Sequence, residues 1–371
     1  MRAANSPVPA QAARATMEKS PRGPALATVA QLSAFDEVID VRSESEFAED
    51  HVPGAINCPV LDDAERARVG TLYRRSPFEA KKVGAALVSA NIARHLRERL
   101  FDRAREWRPL VYCWRGGSRS EALAHVLNQV GWRAARLDGG YRAYRRWVIE
   151  QLGALPGRHD WRVVCGLTGT GKTRLLKALH DAGAQVLDLE SLAAHRGSVL
   201  GGLPGAPQPS QKMFESLLAR ALAGFGASRP VYVEAESRKI GALRLPEALV
   251  EAMRKGRCIV IESAIETRVA LLKREYGHFF TDVEALNERL ACLAPLHGHA
   301  VVDGWKALAR AENWDALTAE LLQRHYDPAY TRSIARHYPA PGGALALHLQ
   351  DIDDASFERL ARRCLSPAGS P

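Results

Sequence analysis

Residues 162–179 read RVVCGLTGTGKTRLLKAL, and no other stretch restricts the possible folds so much. A β-rich run leads into Gly166, four residues, then Gly171, Lys172 and Thr173, and a helical pattern follows at once. This is the complete phosphate-binding loop, or P-loop, in its required order of strand, loop and helix. Glycines at 166, 169 and 171 let the backbone wrap phosphate oxygens without a Cβ in the way. Lys172 would neutralise terminal phosphate charge, and the Thr173 hydroxyl would hold a magnesium ion. Such an ion also wants a carboxylate at a strand end. Asp188 in QVLDLE and Glu234 or Glu236 in VYVEAES each follow an apolar run, and the sequence does not rank them. CIVIES (258–263) supplies another strand, so this half alternates β and α as a helix-covered parallel sheet does. From about residue 284 the pattern turns helical, with WDALTAELLQRHY (314–326) as an amphipathic example. The two histidines of LHGHA (296–300) have no third ligand nearby in sequence and read as a solvated or core pair, not a zinc site.

A second loop stands upstream. In YCWRGGSRS (112–120), Cys113 ends a short strand and is followed by Arg115, Gly116, Gly117, Ser118 and Arg119 before a helix begins. Backbone N–H groups at a helix N-terminus and two guanidinium groups favour thiolate over thiol, so Cys113 reads as an activated nucleophile in an anion cradle. EVIDVRS (37–43) reads as a buried strand and HVPGAIN (51–57) as a turn leading to another. Residues 82–107 read as one long helix with Val83, Leu87, Ile92, Leu96 and Leu100 on its apolar side. Arg94, Arg97, Arg99, Arg103, Arg105 and Arg108 make that stretch a candidate phosphate track, with Arg142, Arg145 and Arg146 as the other candidate. Gly, Pro and charged residues near GALPGRHDW (153–161) separate the two α/β segments.

Composition narrows the partners. The 371 residues carry a net charge of +9, which suits a polyanion. Six cysteines without C-x-x-C pairs exclude a secreted disulfide scaffold and fit a reducing cytoplasm. The first 27 residues are rich in Ala, Pro and Arg, hold no continuous apolar core and read as a disordered tail. No apolar run reaches the length of a membrane span.

DVRSESEFAEDHVPGAIN, the loop CWRGGSRS and the trailing LDGGYRAYRRW (137–147) together resemble a rhodanese domain over roughly residues 28 to 150. The resemblance implies a persulfide-type or phosphocysteine-type intermediate on Cys113. Five residues separate Cys113 from Arg119, one more than in the usual sulfur-carrying members, and the wider loop has room for a tetrahedral phosphate-like group. With GLTGTGKT, LDLESLAAHRGSVLG (187–201), VEAESRKIG (233–241) and HYDPAY (325–330), the chain from about 28 to 335 resembles the bacterial tRNA 2-selenouridine synthase family. It departs locally at Tyr112 and Ser118.

The family resemblance implies an α/β architecture in two domains. A tail (1–27) precedes a rhodanese-like parallel-sheet domain (28–152), and a P-loop domain with a helical C-terminal part covers 160–371. It further implies an enzyme that exchanges the sulfur of wobble 2-thiouridine in tRNA for selenium from selenophosphate, through an S-geranyl intermediate made with geranyl diphosphate; a monomer is the separate expectation for its assembly. A selenophosphate-producing enzyme would be a partner. Whether the P-loop holds geranyl diphosphate or ATP stays open. A rhodanese-like phosphatase and a nucleotide-gated tRNA-binding module remain as other readings of the same loops.

Overall fold

Pro109–Tyr112 is buried at every position, as a strand covered on both faces must be. It is the middle strand of a sheet in the first of two compact units, Met1–Trp147 and Val148–Pro371; the computed structural model describes residues 24–196, 207–275, 277, 282–337 and 344–366. The strands are β1 (Ala25–Ala27), β2 (Glu37–Asp40), β3 (Ile56–Asn57), β4 (Pro109–Tyr112) and β5 (Ala135–Leu137), in the order β1-β5-β4-β2-β3 and all parallel. Residues 1–23 of the expected tail lie outside the described residues, while Ala25–Ala27 is already sheet.

Five helices accompany this sheet: α1 (Glu44–Glu49), α2 (Asp63–Arg75), α3 (Pro77–His95), α4 (Ser118–Val130) and α5 (Gly140–Ala154). A capping box between Asp62 and Glu65 starts α2, and Ser76 caps α3 with Pro77 at its first position. The core joins Ile39, Val41 and Val111 to Leu123, Leu127, Trp107 and Trp132.

The single helix expected over 82–107 is corrected. It starts at Pro77, passes into a π turn at Leu96–Leu100 and ends there. Ile92 and Leu100 are buried as their spacing suggests, but beyond Leu100 the chain leaves the helix, and Trp107 reaches the core from a loop, where it meets Trp132 edge-on.

In the second unit β6 (Trp161–Cys165), β7 (Gln185–Leu187), β8 (Val231–Glu234), β11 (Arg257–Ser263) and β12 (Leu345–Leu349) form a parallel sheet in the order β12-β11-β6-β8-β7. A small antiparallel hairpin, β9 (Lys239–Ile240) with β10 (Leu243–Arg244), stands apart from it. The helices are α6 (Lys172–Asp181), α7 (Leu189–Ala193), α8 (Gln211–Gly224), α9 (Glu247–Arg254), α10 (Ile265–Glu275), α11 (Val283–Ala291), α12 (Ala294–His297), α13 (His299–Arg310), α14 (Trp314–Leu321), α15 (Asp327–His337) and α16 (Asp354–Leu365). Residues from α11 to α14 build a separate core around Trp305.

The C-terminal part is therefore not wholly helical. Leu347 and Leu349 are buried on alternate positions of β12, an edge strand beside β11. The helix expected over 314–326 gives way at Leu322 to a π turn through Tyr326. Among the described residues no helix is long and apolar enough to cross a membrane.

Candidate functional site

Cys113 follows β4 directly and is only 3% exposed. Its loop is held from behind. The Cys113, Trp114 and Gly116 carbonyls accept bonds from the Tyr141 amide (2.9 Å), the Arg142 amide (3.1 Å) and Arg136 Nη1 (3.1 Å). Because a peptide's C=O and N–H point opposite ways, the bond to the Trp114 carbonyl turns the Arg115 amide toward the sulfur. Gly140 makes this possible: at φ +58°, a Cβ there would lie 2.3 Å from the Cys113 carbonyl oxygen and 2.4 Å from the Gly116 nitrogen.

Cys113 Sγ lies 3.3 Å from Ser120 Oγ. Burial by itself would push the thiol up, but the Ser120 hydroxyl and amide, the Arg119 guanidinium and the Arg115 amide outweigh it and hold Cys113 below the ordinary thiol range. Ser120, absent from the residues expected from sequence, contacts the sulfur, as does the Gly117 carbonyl at 3.8 Å. Gly117 caps α4 and Ser118 begins it. Arg115 is exposed, whereas Arg119 Nη1 stands 3.5 Å from Glu46 Oε2, which also lies 3.7 Å from Arg66. Trp114 is partly exposed and stacks on Tyr141 at 5.2 Å.

Tyr141 also covers a buried ion pair. Arg42 pairs with Asp40 at 2.6 Å, lies 3.9 Å from the Tyr141 ring and donates to the Asp50 carbonyl, while the Tyr141 hydroxyl donates to Asp50 Oδ2 at 2.7 Å. The DVRSE and GGYR stretches thus form one polar network at low dielectric, which fixes the turn beneath the Cys113 loop.

The P-loop stands between β6 and α6, as expected. Gly171 sits at φ +84°, where a Cβ would come within 2.6 Å of the Phe357 ring. Gly169 lies in mid-loop, and the Gly166 amide donates to the Tyr330 hydroxyl at 3.1 Å. Lys172 Nζ folds onto the Gly166 (2.8 Å) and Leu167 (3.3 Å) carbonyls, 5.0 Å from the Tyr330 ring.

Arg268, 3% exposed, grips the loop from the other side. Its Nε donates to the Thr168 carbonyl at 2.8 Å, and its two terminal nitrogens reach Asp327 at 3.0 and 2.5 Å. Asp327 and Tyr330 therefore give HYDPAY a physical meaning: the first turn of α15 fastens the P-loop. Asp327→Ala leaves a buried guanidinium without its carboxylate, a loss of about 3–5 kcal/mol. Thermal unfolding of the variant should show a midpoint roughly 10 °C lower, and an unchanged midpoint would contradict the assignment.

Of the carboxylates expected near Thr173, Glu234 lies beside its hydroxyl and Glu236 joins the same cluster, whereas Asp188 acts on Glu190 and Glu234 through its charge but makes no bond to Thr173. The Asp188 side chain accepts the Ser191 amide at 2.9 Å and caps α7. Glu190, on the first turn of that helix, takes the place beside the loop. Thr173 Oγ1 lies 3.2 Å from Glu190 Oε2 and 3.5 Å from Glu234 Oε2, and oxygens of Glu190, Glu234 and Glu236 all fall within 4.8 Å of one another. Burial above all pushes the three carboxyls up, Glu190 to about 7, with repulsion from neighbouring carboxylates added at Glu190 and Glu234, against the pull of Lys172.

Glu234 is 1% exposed, and its Oε1 has no partner among the described residues. Three hard oxygen donors, a hydroxyl and an orphaned carboxylate oxygen fit a magnesium ion. Glu190, Glu234 and Glu236 with Thr173 would hold it, and bound there it supplies positive charge against phosphate oxygens.

The fit carries a pH dependence. Without a cation, folded Glu190 keeps its proton up to about pH 7, while its ordinary value is 4.5. Its contribution to stability is thus full below about pH 4.5 and lost as the pH rises through 7. A cation replaces the proton, so stabilisation by added Mg²⁺ should grow across that window. At one fixed Mg²⁺ concentration, about a hundredfold above the Kd at pH 8, the melting point should rise by about 5 °C or more at pH 8 and little at pH 5, where the protonated carboxyl weakens binding. Glu234→Gln should remove the increment; scanning fluorimetry with Mg²⁺ against EDTA reads it.

His297 does not pair with His299 but meets His325, Nε2 to Nδ1 at 2.9 Å, and packs edge-on to Trp305. Among the described residues no third ligand joins them.

Two family models match the chain: one for a rhodanese-like domain over residues 26–146, and one described as the tRNA 2-selenouridine synthase AAA domain over 159–291. Relatives carrying the name tRNA 2-selenouridine synthase include one from Nitrosomonas europaea, 37% identical over 244 residues, which cover 64% of this chain and 63% of that relative. The chain thus spans just under two thirds of that protein's length. Another, from Aeromonas salmonicida, is 33% identical over 327 residues, covering 79% of this chain and 86% of the relative. With both units matched in order and that relative aligned over most of its length, the chain belongs to the tRNA 2-selenouridine synthase family.

Proposed function

We propose that this chain is a selenotransferase acting on tRNA, replacing the sulfur of wobble 2-thiouridine with selenium from selenophosphate. The carrying observation is the Cys113 loop: a nucleophile held below the ordinary thiol range, at the floor of a five-residue anion nest, on a basic chain that also bears a P-loop.

The nest suits a phosphorus-centred step. Cys113 Sγ attacks the phosphorus of selenophosphate; the S–P bond forms as the P–Se bond breaks, and selenide leaves with the electron pair. Arg115, Arg119 and the loop amides hold the phosphoryl oxygens throughout. Water then cleaves the phosphocysteine to free phosphate and restore the thiolate. No oxidant is required.

The P-loop serves the preceding step. Lys172 and the loop amides hold the diphosphate of geranyl diphosphate while the 2-thio sulfur takes the geranyl carbon and diphosphate departs. The S-alkylated sulfur is then a leaving group that selenide at C2 expels as geranylthiolate. Transfer of freshly made selenophosphate from the enzyme that produces it fits the reactivity of that substrate, and all the components are cytoplasmic in this scheme.

Mass spectrometry of wobble nucleosides tests the reading. A strain lacking the gene should hold 2-thiouridine and regain 2-selenouridine with the wild-type copy. Equal nucleosides with and without the gene would overturn it.

A further inference from the structure

The place of the tRNA is open, and of the six arginines at 94–108 three are held by other parts of the protein. Arg99 donates to the Asn57 carbonyl, Arg103 pairs with Glu37 at 2.9 Å and Arg108 with Asp36 at 2.9 Å, so half of them are committed to the protein itself. The helix that would align them ends at Leu100.

The packed pair α2 and α3 offers a different surface. From Arg66 through Lys82 the chain carries six cations and one carboxylate. Glu79 is occupied by Lys82 at 2.7 Å; among the described residues Arg74, Arg75 and Lys81 pair with no carboxylate, and all three are exposed. Two aromatic rings project among them at the turn between the helices, Tyr73 at 53% and Phe78 at 69% exposure. Water-facing rings interleaved with unpaired cations are what stacking on unpaired bases requires, with the cations following the phosphates.

The hairpin also leads to the Cys113 loop. At its base Arg66 shares Glu46 with Arg119, and the rise per residue places Tyr73 roughly 10 Å further along α2. Trp114, beside the nucleophile, is a third partly exposed ring.

We propose that the α2–α3 hairpin is the tRNA-docking surface of this chain, with Tyr73 and Phe78 stacking unpaired bases and Arg74, Arg75 and Lys81 holding the adjoining phosphates. The proposal rests on the tRNA reading and gives it a location. A protein partner with an acidic face would use the cations but has no need of base stacking, so the rings decide between them.

The test is fluorescence anisotropy with a labelled anticodon stem-loop RNA carrying a wobble uridine, at a series of KCl concentrations. A fully paired RNA of equal length serves as control. Tyr73→Ala with Phe78→Ala should weaken stem-loop binding about tenfold or more and leave duplex binding nearly unchanged. Arg74→Ala with Arg75→Ala should weaken both and lower the salt slope by about one to two. The substituted residues are exposed, and melting curves with unchanged Cys113 alkylation rates show that the variants are folded. Binding that survives both double variants, or that falls instead in Arg97→Ala with Arg105→Ala, overturns the location while keeping the tRNA reading. Absence of binding by the wild-type protein removes both.

Discussion

Cells whose only copy carries Cys113→Ser should contain no 2-selenouridine, yet the variant should bind tRNA like wild type. A hydroxyl keeps the shape of the loop but lacks the thiolate that Ser120, Arg119 and the Arg115 amide stabilise, so the rate falls on the order of 10³-fold or more. What accumulates matters as much as what is lost. In the proposed scheme geranylation at the P-loop does not need the sulfur, so S-geranyl-2-thiouridine should build up. Lys172→Ala should stop one step earlier, at 2-thiouridine, because the diphosphate loses its cation. Lys172 also ties down the Gly166 and Leu167 carbonyls, so Lys172→Arg is needed beside it. Arginine keeps the charge, and partial recovery would separate a loss of charge from a loosened loop. Chromatography with mass detection decides: geranylated uridine in the Lys172→Ala sample would remove the diphosphate assignment, and identical patterns in both variants would remove the division of labour.

Gly140→Ala should be nearly as damaging, although the residue touches no substrate. Its Cβ would stand 2.3 Å from one backbone atom of the Cys113 loop and 2.4 Å from another, at a positive φ that alanine adopts with strain. Backbone does not rotate aside as a side chain would, so the loop itself must move. We expect a loss of about 3 kcal/mol or more in the first unit, together with misaligned amides around the sulfur. The second effect is measurable apart from stability. The pH profile of Cys113 alkylation by iodoacetamide should shift upward toward the ordinary thiol value, while Gly153→Ala, where a Cβ meets nothing within 4 Å, should leave it in place. An unshifted profile in Gly140→Ala would show that the amides are not set by this contact.

The two loops are legible in the sequence because their geometry is local. Strand, glycine-rich turn and helix follow one another within about ten residues, so residue type and spacing carry the arrangement. Glu190 is not legible: it sits two positions past the more conspicuous Asp188, and only the capping bond of Asp188 and the fold of α7 decide which carboxylate meets Thr173. Tyr330 and Asp327 stand out as part of HYDPAY, but their partners Gly166 and Arg268 are distant in sequence. Arginine clusters mislead for a related reason, since whether Arg103 or Arg108 is free depends on Glu37 and Asp36, which only tertiary structure brings near. The π turns at 96–100 and 322–326 keep apolar residues close to helical spacing and so read as continuous α-helix.

β12 illustrates the remaining gap and has a consequence of its own for synthesis. It pairs with β11 across more than eighty intervening positions, whereas every strand of the first unit has been translated by Leu137. At ribosomal speeds roughly 4–16 s separate the synthesis of β11 from that of β12, and through that interval the nascent chain presents the outer edge of β11 unpaired. An exposed parallel edge is a template for neighbouring chains on the same messenger. Slow translation between residues 263 and 345 should therefore lower soluble yield, and supplying Leu345–Leu365 as a separate peptide during synthesis should restore part of it.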